Sequence, residues 1–377
     1  MLKKILPAAL LLAAPVAAAA QSSAPEVPDP TWKLSGDARV EDHLGRKAIR
    51  MSSGFAHCEN VRFEDGTIEL DLAVTPYRSF VYVQFRIQAD GENEEFYFRP
   101  HKSGLPDAIQ YTPVYKRAGN WQLYHGAGDT AAAWLPPEEW IHVRIVVRGS
   151  QAAVFVGDVE TPQLVTTLAR DKGPGNVALR SFKPRGIPDG VTLASFSNVV
   201  IRPDAADFDF PPPPAGETPA GVVRQWRVSP AFAPPPDAVA EIPAGVLEAE
   251  GWQTLDADPS GLVVIGRDVA RPDGARRAAV AARLVVRAAE AAKRRFDFGY
   301  SDEVSVFFNG ELLFSADDRY SFNFPRRQGL ITFDQGTLYL PLEKGDNDLV
   351  LVVTDVFGGW GVMGRFPDGE GLEVLAR

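Results

Sequence analysis

The sequence predicts an all-β protein made of two β-sandwich domains joined by a Pro-rich linker. Three observations carry that expectation. Apolar and polar residues alternate through many short runs, which is the period-two pattern of half-buried strands. The 377 residues include 33 Gly and 31 Pro, the turn formers that a chain of many short strands requires. The run Pro211 to Pro214 separates two regions that each carry their own strand patterns.

The chain begins like a secretory precursor. Lys3 and Lys4 precede an apolar run from Ile5 to Ala20, and Ala18-Ala19-Ala20 stands before Gln21. That is the layout of a signal peptide over 1–20. The run is short and broken by Pro7 and Pro15, which argues against a membrane anchor. No Cys follows the small residues, so no lipid anchor is expected there. Residues 21–31 read as a disordered lead. The remainder has no long apolar run, so the expected product is secreted, periplasmic or extracellular, without a membrane span.

Composition narrows the partners. The formal net charge is −10, and loss of Lys3 and Lys4 makes it −12. An acidic surface disfavours nucleic acid and anionic membranes as partners. Cys58 is the only cysteine, so no internal disulfide can form. It reads as a half-buried small apolar residue beside His57 rather than a nucleophile. Histidines 43, 57, 101, 125 and 142 show no metal-ligand spacing.

The first domain is assigned to 32–202. Thr67 to Val74 places Ile68, Leu70, Leu72 and Val74 on one strand face. The segment Tyr77 to His125 is the most informative. From Phe80 to Ile87, Val81, Val83, Phe85 and Ile87 fall on one face, and Phe80, Tyr82, Gln84 and Arg86 on the other. From Glu95 to His101, Phe96 and Phe98 oppose Tyr97, Arg99 and His101. Two such strands, once paired, give one face for a core and a second able to hold a polar, ring-shaped ligand. Tyr82, Gln84, Arg86, Tyr97, Arg99 and His101 are therefore the candidate ligand-binding residues. Tyr111, Tyr115, Trp121, Tyr124 and His125 join them, because so many rings must be buried or used. Trp140 to Arg148 and Ala152 to Val156 form a hairpin around Gly149-Ser150. Val177 to Arg180 and Val191 to Ile201 close the domain.

Residues 203–220 read as a stiff, extended spacer. The second domain is assigned to 221–377. Gly261 to Ile265, Glu303 to Phe308 and Asp348 to Thr354 are strands. Asn309-Gly310 is a hairpin turn, since both residues tolerate positive φ. Ala275 to Arg295 has helix-forming composition, yet Val280, Ala282, Leu284 and Val286 alternate, so it is assigned as strand, turn, strand. Trp360, between Gly359 and Gly361, is assigned to the core.

Five segments of the first domain resemble the concanavalin A-like lectin/glucanase superfamily, in its laminin G-like and 3-keto-disaccharide-hydrolase-like forms. They are FEDGTIELDLAV (Phe63 to Val74), FVYVQFRIQ (Phe80 to Gln88), WQLYHGAG (Trp121 to Gly128), EEWIHVRIVVRGSQAAVFV (Glu138 to Val156) and FSNVVIR (Phe196 to Arg202). The resemblance implies a two-sheet jelly roll with a concave face where such folds hold sugars. Four segments of the second domain resemble galactose-binding-like β-sandwiches: VVRQWRVSPAF (Val222 to Phe232), FGYSDEVSVFFNGELLF (Phe298 to Phe314), LYLPLEKGDNDLVLVV (Leu338 to Val353) and FGGWG (Phe357 to Gly361). That implies an accessory module and carries over no catalytic residues.

Catalytic candidates are weak. Glu69 and Asp71 share a strand face, and the resemblance to laminarinase-type glucanases implies a further essential Glu after them. Ala73 and Val74 stand there instead. Glycoside cleavage needs two carboxyl groups flanking the bond, so this pair reads as a solvated strand face. His101 or His125 is a weak general-base candidate, with neither a Ser-His-Asp order nor a metal spacing in support. Asp90-Gly91-Glu92-Asn93 offers oxygen donors of the kind calcium takes but lacks the longer spacing of a calcium loop. No cofactor is expected. The expected function is carbohydrate recognition on the concave face of the first domain. The alternatives are a carbohydrate-active hydrolase or lyase on the same face, and a structural envelope protein without a small-molecule site.

Overall fold

The computed structural model describes residues 29–88, 91–171, 173–212, 218–236, 239–321 and 328–377. The signal-peptide assignment lies outside them, as does the lead up to residue 28. Among the described residues the only helical turns are Pro100–Lys102 and Ile265–Asp268. No described helix is long and apolar enough to cross a membrane.

Strands of the first region are Trp32–Gly36 (β1), Arg39–His43 (β2), Arg46–Met51 (β3), Gly54–Phe63 (β4), Gly66–Val74 (β5), Phe80–Ile87 (β6), Asn93–Phe98 (β7), Ile109–Tyr115 (β8), Ala118–Gly119 (β9) and Thr130–Ala131 (β10). Ile141–Arg148 (β11), Gln151–Val156 (β12), Leu164–Thr167 (β13), Gly175–Phe182 (β14) and Ala194–Pro203 (β15) complete it. They form two antiparallel sheets. The first runs β1-β4-β14-β6-β7-β8-β10, with β9 on β8, and the second runs β13-β12-β11-β5-β15-β3-β2. Between them lies one apolar core. Val81, Val83, Phe85, Phe96, Phe98 and Leu179 come from the first sheet; Ile68, Leu70, Leu72, Val143, Ile145 and Phe196 come from the second. Alternation drives this arrangement, because every second residue of these strands turns an apolar side chain to the core.

The second region contains Gln225–Val228 (β16), Gln253–Asp256 (β17), Val263–Val264 (β18), Ala278–Ala288 (β19), Ala292–Ser301 (β20), Glu303–Phe308 (β21), Glu311–Asp317 (β22), Gly336–Leu342 (β23), Gly345–Asp355 (β24), Gly361–Arg365 (β25) and Leu372–Leu375 (β26). One sheet runs β17-β16-β19-β24-β21-β22, with β26 on β19, and the other runs β18-β25-β20-β23. The protein is thus all-β, two sandwiches in one chain. Ala275 to Arg295 contains β19, a turn and β20, so alternation prevails over helix-forming composition. Asn309 (φ 49°) and Gly310 (φ 85°) make the β21–β22 turn. Trp360 is core, and its Nε1 donates to the Val353 carbonyl at 3.2 Å.

Two features depart from beads on a stiff spacer. Ala206, Phe208 and Phe210 pack on Phe155 and Val146, on the outside of β11 and β12. The Pro211 carbonyl accepts from Gln151 Nε2 at 2.9 Å. The first half of the 203–220 segment is therefore docked on the first sandwich, held by aromatic burial; residues 213–217 lie outside the described residues. The second departure is the loop after β9, which enters the second sandwich. Tyr115 and Leu123 form one apolar cluster with Leu262, Val264, Ile331 and Met363. Gln122 N donates to the Gly358 carbonyl (3.0 Å) and Gln122 Nε2 to Asp302 Oδ1 (3.0 Å).

Candidate binding face

The face of the first sheet that points away from the core is built in rungs. The pairings Phe55↔Arg180, Arg180↔Tyr82, Tyr82↔Tyr97 and Tyr97↔Gln110 place these five side chains in one row across β4, β14, β6, β7 and β8. Directly opposite residues on one sheet face are close enough to interact. The next row reads His57, Ala178, Gln84, Glu95 and Thr112. Phe182↔Phe80 begins a third row.

Arg180 is the central side chain. Its guanidinium lies 4.7 Å from the Tyr82 ring centroid and 5.2 Å from that of Phe55. It makes no hydrogen bond or ion pair among the described residues. Two rings hold the cation by its faces, and its N–H groups stay uncommitted. Phe55 stacks on His57 at 5.6 Å, and Tyr82 leans on Tyr97 at 5.4 Å. Phe55, His57, Tyr82 and Arg180 are half-buried and Phe182 is exposed.

One end of the face is closed. Tyr97 Oη donates to Gln110 Oε1 (2.6 Å), as does Arg99 Nη2 (2.5 Å). Gln110 Nε2 in turn donates to the carbonyls of Trp121 (2.7 Å) and Tyr124 (2.5 Å). The loop thereby roofs the β7–β8 end, and Gln84, Glu95, Tyr97, Arg99 and Gln110 are buried beneath it. Gln84 Nε2 donates to Glu95 Oε2 at 2.8 Å. Burial raises the Glu95 pKa, and Gln84, Arg180 and Asn93 oppose that rise. Tyr82 and Tyr97 are likewise pushed far up by burial. A rim stands where the sandwiches meet: Arg78 Nη2 donates to Tyr320 Oη (2.6 Å), and Trp121 meets the Tyr320 and Phe357 rings at 5.6 and 6.1 Å.

The structure therefore brings Tyr82, Gln84, Tyr97 and Arg99 together on one face. Arg86 does not join them. A bulge shifts the β6–β14 register between Asn176 and Ala178, and Arg86 takes a positive φ of 51°. A bulge bends its strand and re-aims the side chains beyond it. Arg86 turns to the seam between the sheets, where Nε donates to the Glu64 carbonyl (2.8 Å) and Nη2 to Gly149 O (2.7 Å) and Asp65 Oδ1 (3.1 Å). His101 sits in the turn after β7, outside strand alternation, its ring centroid 5.3 Å from that of Phe80 in an edge-on contact. Burial lowers its pKa to about 4, helped by Arg78, Arg99 and Lys102, so it is neutral at neutral pH.

The aromatic stretch after β7 is not one loop. Tyr111 lies on β8 with the parity of Ile109, so it points into the core; its Oη donates to Glu94 Oε2 (2.7 Å). Tyr115 is in the interdomain cluster, where burial raises its pKa to about 12. Tyr124 packs against that cluster and His125 Nε2 bonds the Ile331 carbonyl at 2.8 Å. Trp121 contributes to the rim only.

Glu69 and Asp71 lie on β5, in the opposite sheet. Glu69 pairs with Arg202 (3.0 Å). Asp71 accepts from Arg46, from Asn198 Nδ2 (2.7 Å) and bonds His142 Nδ1 (3.1 Å). Neither faces the rungs. In the Asp90–Asn93 turn, Asp90 lies outside the described residues and Glu92 pairs with Arg170 at 3.1 Å.

Phe55, His57, Arg180 and Phe182 were not among the sequence candidates. Their alternation with Ala56, Cys58, Leu179 and Ser181 gives the face they occupy. It does not say that β14, far away in sequence, lies between β4 and β6.

Comparisons with solved structures align slightly less than half of the chain, its N-terminal part. A carbohydrate-binding module, CBM66 from Bacillus subtilis, matches at 15% identity over 45% of this chain and 95% of that one, with a TM-score of 0.34. A Bacillus licheniformis β-glucanase matches at 11% identity over 47% and 94%, TM-score 0.34. A β-1,3-1,4-glucanase from a mouse hindgut metagenome matches at 12% identity over 47% and 94%, TM-score 0.36. At these values the alignments assign no activity. No protein-family model and no curated protein matches the chain.

Proposed function

We propose that the protein is a secreted glycan-recognition protein whose ligand lies along the Phe55–Arg180–Tyr82 rung. The observation that carries this reading is Arg180, an arginine clasped between two rings with its donors unspent. Sugars have an apolar C–H face and a rim of hydroxyls. A half-exposed ring beside a fixed guanidinium answers both. His57 adds a half-buried polar group on the next rung. The galactose-binding-like resemblance of the second region supports an accessory role in the same assembly, and the leader supports export. Hydrolysis is the weaker reading, because Glu69 and Asp71 are spent in ion pairs on the other sheet and Glu95 is the one carboxyl on these rungs.

The test is a glycan-array screen of the mature protein followed by titration of the best binder. Arg180→Ala should weaken binding by about 1.5–3 kcal/mol, the value of charge-assisted hydrogen bonds. Tyr82→Ala should cost on the order of 1 kcal/mol. Undiminished affinity in both variants, with unchanged circular dichroism, refutes this face as the site.

A further inference from the structure

We infer that a second, separate cleft on the outer face of the C-terminal sandwich binds a small hydroxy-carboxylate of monosaccharide size. The cleft holds about 380 Å³ and is lined by Arg227, Leu247, Glu250, Trp252, Arg283 and Arg377, with Ala249 and Gly251. That volume is near the lower end for small-molecule sites.

Arg227 on β16 lies directly opposite Arg283 on β19. Like charges placed opposite each other on a sheet are destabilising, so the pair needs an answering anion. Arg283 has one: its Nε donates to Asp348 Oδ1 at 2.6 Å. Arg377 has one in Asp346. Arg227 has no hydrogen bond and no ion pair among the described residues. Trp252, half-buried in the same lining, offers its ring to the cleft.

The lining also selects among anions. An arginine fork matches the two oxygens of a carboxylate. Glu250 in the same cleft repels a compact multivalent anion such as sulfate or phosphate, but it accepts from hydroxyl groups. Leu247 and Trp252 give the carbon skeleton an apolar wall. A hydroxylated carboxylate satisfies all of these groups; a neutral sugar leaves Arg227 unanswered.

The experiment is calorimetric titration of the full chain with glucuronate, glucose and inorganic sulfate. Glucuronate should bind saturably, and any glucose binding should be indifferent to Arg227→Gln. Arg227→Gln should weaken glucuronate about tenfold or more, Arg227→Lys should restore part of that loss, and Trp252→Phe should weaken it by a smaller factor with the melting temperature retained. Glu69→Gln, on the other sheet of the first domain, should leave glucuronate binding unchanged. The inference is overturned by no saturable glucuronate binding in the millimolar range, by equal binding in Arg227→Gln, or by sulfate binding as tightly as glucuronate. Loss in Arg180→Ala with retention in Arg227→Gln also overturns it, and would place the acid in the first-domain face instead.

Discussion

Replacing Arg86 with Met should unfold the first sandwich more easily while leaving ligand affinity alone. Alternation in β6 assigns Arg86 to the ligand face, and the structure assigns it to the seam, so this substitution separates the two. Arg86 is about 1% exposed. It donates at one corner to Glu64 O, Gly149 O and Asp65 Oδ1. These acceptors belong to the turns that end β4 and β11, so the side chain bolts the ends of both sheets together. Methionine keeps the aliphatic volume and removes every donor. The two carbonyls then lose this partner, and Asp65 loses its arginine while keeping the Gly149 amide at 2.9 Å. Removing one member of a buried charged pair typically costs about 3–5 kcal/mol. At roughly 2–4 °C per kcal/mol for a domain of this size, the first transition should fall by roughly 6–20 °C. Differential scanning calorimetry measures the shift, and titration with the array-selected glycan measures affinity just below the transition. An unchanged melting temperature with a tenfold loss of affinity would refute the seam assignment and return Arg86 to the ligand face.

Other expectations rest on the same geometry. Gly358 has a φ of +96°, and an added Cβ would meet Trp121 Nε1 at 2.6 Å; Gly358→Ala should loosen the interdomain contact, read as faster proteolysis of the Asn120–His125 loop, and an unchanged digestion rate counts against a tight dock. Burial, with repulsion from Asp258, raises Asp129 to about 7, against roughly 3.9 unfolded. Between those values the unfolded chain has released the proton that the folded chain keeps, so this group's contribution to stability falls as pH rises. Asp129→Asn should therefore gain melting temperature over the parent as pH goes from about 5 to about 8, and a constant difference would contradict this. Glu69→Gln removes a partly exposed ion pair with Arg202; it should change stability by about 1 kcal/mol or less and leave glycan binding intact, which titration and thermal melts check together.

The sequence made the strands legible because alternation is a local property. Val81, Val83 and Phe85, or Phe96 and Phe98, declare their face within a few residues. It also placed Trp360 in the core and resolved β19 and β20 against their helical composition. What it did not reveal was set by distant partners. Arg86 reverses because β14, nearly a hundred residues later, bulges against it. Phe55 and Arg180 become the neighbours of Tyr82 only through the β4-β14-β6 order, which no window of sequence contains. Tyr115, Tyr124 and His125 looked like ligand groups because aromatic and polar side chains serve an interface and a binding face equally well. Leu262, Ile331 and Met363, which claim that surface, lie in the other domain.

Gln110 joins the ligand face to the interdomain contact. Its carbonyl oxygen receives Tyr97 and Arg99 from the face, and its amide nitrogen is given to the loop carbonyls of Trp121 and Tyr124. That loop is held by Gln122 to Asp302 and by Leu123 to the apolar cluster of the second sandwich. Asp302 is itself fixed by the amides of Val356 and Phe357 at 2.8 and 2.7 Å. Domains joined by weak contacts move independently by default. Here the roof of the face is a loop whose outer surface belongs to the neighbouring domain, so the second sandwich helps set the shape of the first one's binding surface. A role as wall and brace needs no sugar site of its own in the second sandwich at that junction, and it explains why the aromatic loop is spent on packing rather than on ligand.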